Sequence, residues 1–238
     1  MNTRQAFRDV FRPVLTERGF RYNGKVFCRL SGEFLQGIVV VPASGGGYFF
    51  RFACYPYWMH NLIYYEDSIY NDFQKPWWVE QYDISGGYAY FNKNDLENSL
   101  EGMRKYMKHV AEQALPHLDA IKDLESLQTA IGQDVLFTNR VNQYVMLYIA
   151  RENPSFALSY IERKKESYYA SRRYYFPNMT DETIQADWES SCEYSFGKVL
   201  KAIETNDFDS ILSPHWENRT ALKARIEKEL KLDVSHLL

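Results

Sequence analysis

Between Gly24 and Tyr57 apolar side chains recur at every second position, three times in succession. Val26, Cys28 and Leu30 alternate with Phe27, Arg29 and Ser31. Phe34, Gln36, Ile38 and Val40 alternate with Leu35, Gly37, Val39 and Val41, and Phe50, Phe52 and Cys54 alternate with Phe49, Arg51 and Ala53. Successive side chains of a strand point to opposite faces, so this period, punctuated by Ser31-Gly32 and by the glycine-rich loop from Pro42 to Gly47, predicts a three-stranded antiparallel meander. The second and third runs are apolar on both alternations, which predicts a sheet covered on both faces.

Before the sheet, Phe7, Val10, Phe11, Val14 and Leu15 form one stripe of an amphipathic helix, with Pro13 inside it. Proline lacks a donor and crowds the preceding turn, so a kink is expected there. Gly19 stands where a helix-ending glycine belongs, and Phe20 is placed to fold back on Leu15. This helix is expected to lie on one face of the meander. After the sheet, Leu96, Leu100, Met103, Met107, Val110 and Ala114 step by four and three, behind Asn94 read as an N-cap with Glu97 three residues on. Leu115-Pro116 is read as an interruption, and Leu118 to Gly132 as a further helix. Gly87 to Phe91 is read as a fourth strand.

From Gln133 on, strand signals vanish. Val141 to Ile149 is a helical stripe, Asn153-Pro154 a cap followed by a first-turn proline, and Thr180 the cap of a long helix carrying Ile184, Trp188, Cys192 and Phe196. Ser213-Pro214 is read as a break before a last helix with Leu222, Ile226 and Leu230. No repeat period is evident. The fold class is therefore α+β: a helix-covered antiparallel β-meander over residues 1–132, with an insertion at 57–86, followed by an all-α domain over residues 133–238.

The helix with an internal proline, Gly19-Phe20, Gly24, Phe27, Arg29 and the run Phe34 to Val41 with its central Gln36 resemble the uncharacterised bacterial family called domain of unknown function 4304. The later helix and its Leu115-Pro116 step are similar to that family too, so the resemblance covers roughly residues 1–130. It implies the same α+β fold and assigns no catalytic residue. Small cytoplasmic families of this kind include immunity and defence proteins, an analogy of fold and size alone.

Composition narrows the function classes. A formal charge of −3 over 238 residues selects no polyanion partner in bulk. Three scattered cysteines, an odd number, form no disulfide framework and point to a reducing compartment. No run approaches membrane-span length and no signal-peptide core is seen at Met1 to Arg8, so a cytoplasmic protein without membrane contact is expected.

The five histidines show no close, repeated ligand spacing, so no metal site is expected. Cys28, Cys54 and Cys192 sit on apolar alternations or stripes, where a thiol is a small hydrophobe and not a nucleophile. Ser44 to Gly47 joins two strands and opens onto no helix, so it is not a phosphate cradle. Glu66, Asp67, Asp72, Glu80 and Asp83 beside Trp77 and Trp78 recreate part of a sugar-active composition, but an acidic insertion explains them. No catalytic residue and no cofactor are expected.

Two constellations remain. In the insertion, Tyr64, Tyr65, Asp67, Tyr70, Trp77 and Trp78 combine rings with acids, which suits anchors of a protein-binding surface that attracts a basic partner. Further on, Lys164, Tyr168, Arg172 and Arg173 belong to a basic–aromatic helix of the kind that binds nucleic acid. The following helix carries Asp181, Glu182, Asp187, Glu189 and Glu193, so internal neutralisation of those cations is expected and nucleic acid is disfavoured. The leading expectation is a non-enzymatic interaction protein of immunity or defence type that recognises a protein partner through the aromatic–acidic insertion. The alternative is a small-molecule or nucleic-acid binder using a groove between the two halves.

Overall fold

A computed structural model describes residues 1–24, 26–42, 47–59, 80–81, 89–132, 141, 143–217, 219–235 and 237. Its contacts divide the chain into two compact units, residues 1–141 with 215–238, and residues 142–214. No helix among the described residues is long and apolar enough to cross a membrane.

The first unit is built on the meander. Strands β1 (Arg21–Tyr22), β2 (Val26–Ser31), β3 (Phe34–Pro42) and β4 (Gly47–Pro56) follow one another antiparallel, and the short β5 (Glu80–Gln81) and β6 (Ala89–Tyr90) both pair with β4. The register Ser31↔Phe34, Arg29↔Gln36, Phe27↔Ile38 and Ile38↔Phe52 puts Phe27, Arg29, Gln36, Ile38 and Phe52 on one face. Val26, Cys28, Leu35 and Val39 point the other way, and both sets of apolar side chains are buried. The expectation of a sheet covered on both faces therefore holds.

Helix α1 (Thr3–Glu17) covers the first of these faces. A reciprocal cap between Asn2 and Gln5, each backbone N–H reaching the other's side chain at 2.9 Å, starts it. It runs unbroken through Pro13, which sits on the exposed side. Its end is a Schellman stop: Phe20 N–H reaches Leu15 O at 2.9 Å and Gly19 N–H reaches Thr16 O at 3.0 Å, with Gly19 at φ +80°. Phe7 meets Phe27 edge-on at 5.3 Å, and Phe11 stacks on Phe50 at 4.8 Å.

Helix α2 (Leu96–His109) adds to the same face, where Tyr106 lies 4.8 Å from Phe50. Its N-cap is Asp95 and not Asn94, and no side chain caps it directly. The entry is instead closed by Ser99, which donates to Asn92 O at 3.1 Å and accepts from Asn92 N–H at 2.9 Å. Pro116 does not interrupt the rod. A π turn at Val110–Ala114, with Leu115 N–H bonded to Val110 O, leads straight into α3 (Leu115–Ala120). The wider turn gives the proline ring room against the turn before it. The break comes at Ile121, in extended backbone, before α4 (Leu124–Gly132).

The second unit is helical: α5 (Gln143–Glu152), α6 (Pro154–Tyr175), α7 (Asp181–Thr205) and most of α8 (Asp209–Glu217). Asn153 and Thr180 cap α6 and α7 as the sequence predicts, accepting from Phe156 N–H and Thr183 N–H. Ser213-Pro214 is no break, since α8 runs through it. The last helix, α9 (Arg219–Leu230), groups with the sheet and not with the helical half to which the sequence assigned it. Trp58, in the turn after β4, meets Trp216 edge-on at 5.3 Å, and α9 buries Leu222, Ile226 and Leu230. A bulky buried indole needs ring partners, and the C-terminal segment supplies one.

Candidate interaction surface

Helices α6 and α7 form a helical hairpin joined by residues 176–180. Its proximal half is an ordinary core. Ala157, Tyr160 and Ile161 of α6 are buried, Tyr160 lies edge-on to Phe196 of α7 at 6.1 Å, and α5 packs against both helices. Past Ile161 α6 buries no residue, while α7 still buries Ile184 and Trp188. The distal half is held by Tyr168 against Trp188 at 5.5 Å and by charge.

Two arginines of the basic–aromatic helix pair with α7. The Nε and Nη2 groups of Arg172 donate to the Tyr168 hydroxyl at 2.9 and 2.8 Å, and Nη2 stands 3.7 Å from Asp187. Arg173 donates to Asp181 at 3.0 Å and lies over the Tyr169 ring at 5.8 Å. Lys164 lies over Tyr160 at 5.2 Å. The structure thus joins Tyr168 to Arg172 and places Lys164 and Arg173 on other partners, and the expected pairing of both arginines with the acidic helix is present. These pairs are largely exposed, so each contributes only about 0.2–1 kcal/mol.

At the end of the hairpin the rings turn outward. Tyr174, Tyr175 and Phe176 are 79%, 69% and 48% exposed, and Tyr174 meets Tyr175 edge-on at 4.9 Å. A mid-helix residue of α7, Tyr194, is 87% exposed. Arg172 lies over the Phe176 ring at 5.5 Å, but most of the surface of these three consecutive aromatics is left in water as an apolar patch. The available sequence signal was Pro177: a proline pushes the residue before it out of helical backbone, so α6 ends at Tyr175 and Phe176 leaves the helix. The other proposed surface, Tyr64, Tyr65, Asp67, Tyr70, Trp77 and Trp78, lies outside the described residues.

Two further constellations lie in the first unit. Gln36 is fully buried, and its amide donates to Leu118 O at 2.7 Å and Ile121 O at 3.3 Å. Arg29 donates to Gln36 Oε1 at 2.8 Å, to Arg18 O at 2.7 Å and to Asp119 at 2.5 Å, and Arg18 binds the other oxygen of Asp119. These polar groups tie the ends of α3 and α1 to the sheet. Separately, an open cavity of about 340 Å³ is lined by His117, Ala120, Asp123, Glu125, Ser126, Thr129 and Ala130. Ser126 is not a nucleophile there. Its hydroxyl reaches Asp123 Oδ1 at 2.7 Å and accepts from Lys122 N–H at 3.0 Å, and its own N–H bonds Asp123 at 2.8 Å, a helix cap.

The thiols are equally unsuited to nucleophilic chemistry. Burial pushes Cys28 up to about 12 and raises Cys54 and Cys192 as well, so all three are neutral thiols at physiological pH. Among the described residues no three His, Cys, Asp or Glu side chains converge as metal ligands. No protein-family model, curated protein or solved structure matches this chain.

Proposed function

We propose that the chain is a non-enzymatic interaction protein that recognises a protein partner through the tip of the α6–α7 hairpin. One observation carries this reading: Tyr174, Tyr175 and Phe176 stand exposed and adjacent at the end of a hairpin whose arginines already have intramolecular partners. Tyr and Arg dominate binding hot spots, because a rigid ring loses little conformational freedom when it is buried. An exposed aromatic tip fits an apolar pocket on a partner. The aromatic insertion is a second, independent candidate surface on the strength of its composition. The buried, reduced cysteines support a cytoplasmic setting.

A nucleic-acid reading of α6 has weaker support, since phosphate contacts would have to displace Asp181 and Asp187 from the two arginines. The test is a comparison of the chain with its Y174A/Y175A/F176A variant, each immobilised and challenged with the source cell's lysate. The proposal expects the two proteins to unfold at the same temperature and a co-purifying protein to be captured by the first alone. Identical capture by both would overturn it.

A further inference from the structure

We propose that the partner's docking element is basic, an amphipathic helix bearing Lys and Arg that lies along α7 while its apolar side takes the aromatic tip. The inference rests on the tip being the docking surface and adds the chemistry of what docks. Over residues 154–196 the hairpin carries five bases against seven acids. The two sets are treated differently. Arg172 and Arg173 are held by Asp187, Asp181 and the Tyr168 hydroxyl, and Lys164 sits on a ring. Glu182, Glu189 and Glu193 are exposed and make no ion pair among the described residues.

Their spacing turns three loose carboxylates into a surface. Positions i, i+7 and i+11 of an α-helix fall within about 40° of one another and span about 16 Å along the axis. The stripe begins at Glu182, in the first turn after the aromatic loop, so it continues away from the tip. Gln185 donates to Glu189 at 2.9 Å and fixes the middle carboxylate. A helix laid alongside presents side chains at the same repeat, so cations spaced by three, four and seven residues meet all three acids. Polyanions, whether nucleic acid or anionic lipid, are repelled by the same stripe. Apolar rings at one end and free carboxylates along one side therefore fit a basic amphipathic helix better than any other partner class.

The probe is a synthetic amphipathic Lys/Leu helix carrying a fluorophore, titrated with the full chain and followed by anisotropy. Binding is expected, with affinity falling about tenfold or more between about 0.1 M and about 1 M salt, over which the screening length shrinks from about 10 Å to about 3 Å. Affinity should fall about tenfold or more in E182Q/E189K/E193K and less steeply in E182Q/E189Q/E193Q. The neutral variant keeps the helix formers and guards against misfolding, and circular dichroism confirms that both are folded. Retained affinity in the reversed variant, with loss in Y174A/Y175A/F176A, would overturn the basic partner and leave the tip as the docking surface. Retained affinity in all variants, or no binding by the parent chain, would overturn the inference. Binding of a phosphatidylglycerol vesicle or of a single-stranded oligonucleotide in place of the peptide would overturn it as well.

Discussion

Arg29 and Gln36 face each other across β2 and β3, and the guanidinium Nε donates to the buried amide oxygen at 2.8 Å. They are polar residues on a face they share with Phe27, Ile38, Phe50 and Phe52. Their role becomes visible only with the end of α3 in place, because Gln36 bonds carbonyls 82 and 85 residues away. The amide acts as a cap supplied by another element, and Arg29, lying over Phe20 at 4.4 Å, carries the same tie to the end of α1.

Gln36→Leu keeps the volume roughly and removes the amide. Arg29 Nε then loses its acceptor in a dry site, while Leu118 O keeps the Ile121 N–H and Ile121 O keeps the Ser31 hydroxyl. The expected loss is about 1–3 kcal/mol in urea denaturation, the cost of one buried donor left without its bond. A loss under about 1 kcal/mol would show that the remaining bonds of the corner suffice.

Gly32 and Gly19 separate two reasons for a glycine. Both have positive φ, +56° and +80°. A Cβ at Gly32 would lie 2.3 Å from Lys122 O, a backbone atom, whereas a Cβ at Gly19 would meet nothing within 4 Å. Gly19→Ala should therefore cost about 1–2 kcal/mol, the left-handed penalty alone. Gly32→Ala should cost clearly more, about 3 kcal/mol or above, because the loop bonded to Gln36 must also move. Equal losses would mean that the close approach at Lys122 is relieved freely.

The sheet was legible because a period of two survives any tertiary context: each strand from Val26 to Pro56 lies where the alternation put it. The helix seams were legible for the same reason, down to the caps at Asn153 and Thr180. Proline was the weak signal. Pro116 and Pro214 each read as a break, yet one is absorbed by a π turn and the other lies within α8, because a missing donor is a local cost that packing can outweigh. The Arg29–Gln36–Asp119 tie was not legible, since nothing local says that residues near 36 and 119 meet. The arginines of α6 were legible as internal partners from the acids of α7, but the exposure of Tyr174 to Phe176 was legible only through Pro177, because a basic–aromatic composition does not say which rings the hairpin uses.

Phe11 tests the packing of α1. It is fully buried, 4.7 Å from Phe7 and 4.8 Å from Phe50. Phe11→Ala removes that burial and leaves a cavity between helix and sheet, so a loss of about 3–5 kcal/mol is expected by chemical denaturation. A value under about 1 kcal/mol would place the core elsewhere.

Acid should weaken two helix starts in a predictable direction. Asp123 and Asp207 are held below the usual carboxylate value of 3.8, first by the backbone N–H of Ser126 for Asp123 and first by the Ser210 hydroxyl for Asp207. A carboxylate whose pKa is lower in the folded than in the unfolded state stabilises above its ordinary pKa, and that contribution disappears as pH falls through the folded value. The melting temperature should therefore drop on acidification below about pH 4, and less steeply in D123N/D207N, where the caps stay but do not titrate. Parallel curves for the two proteins would remove these carboxylates from the acid response.

The hairpin's arginines decide between structural pairing and polyanion binding. The pairs Arg172–Asp187 and Arg173–Asp181 are substantially exposed, with side-chain exposures of 34% and 42%, and of 58% and 70%. Exposed pairs are screened by water, so each accounts for about 0.2–1 kcal/mol. Arg172→Glu with Arg173→Glu removes both and sets like charges against Asp187 and Asp181, so a loss of about 1–2 kcal/mol is expected. Reversing the acids as well, in D181R/D187R/R172E/R173E, should restore most of that loss, because the pairs reform with their signs exchanged. Neither the parent nor the variants should bind a single-stranded oligonucleotide with the steep salt dependence of phosphate neutralisation. Unchanged stability in the double variant, together with salt-steep oligonucleotide binding by the parent that the variant loses, would make these cations a phosphate-binding surface. The hairpin would then be a nucleic-acid contact, and its free carboxylates would have no basic helix to meet.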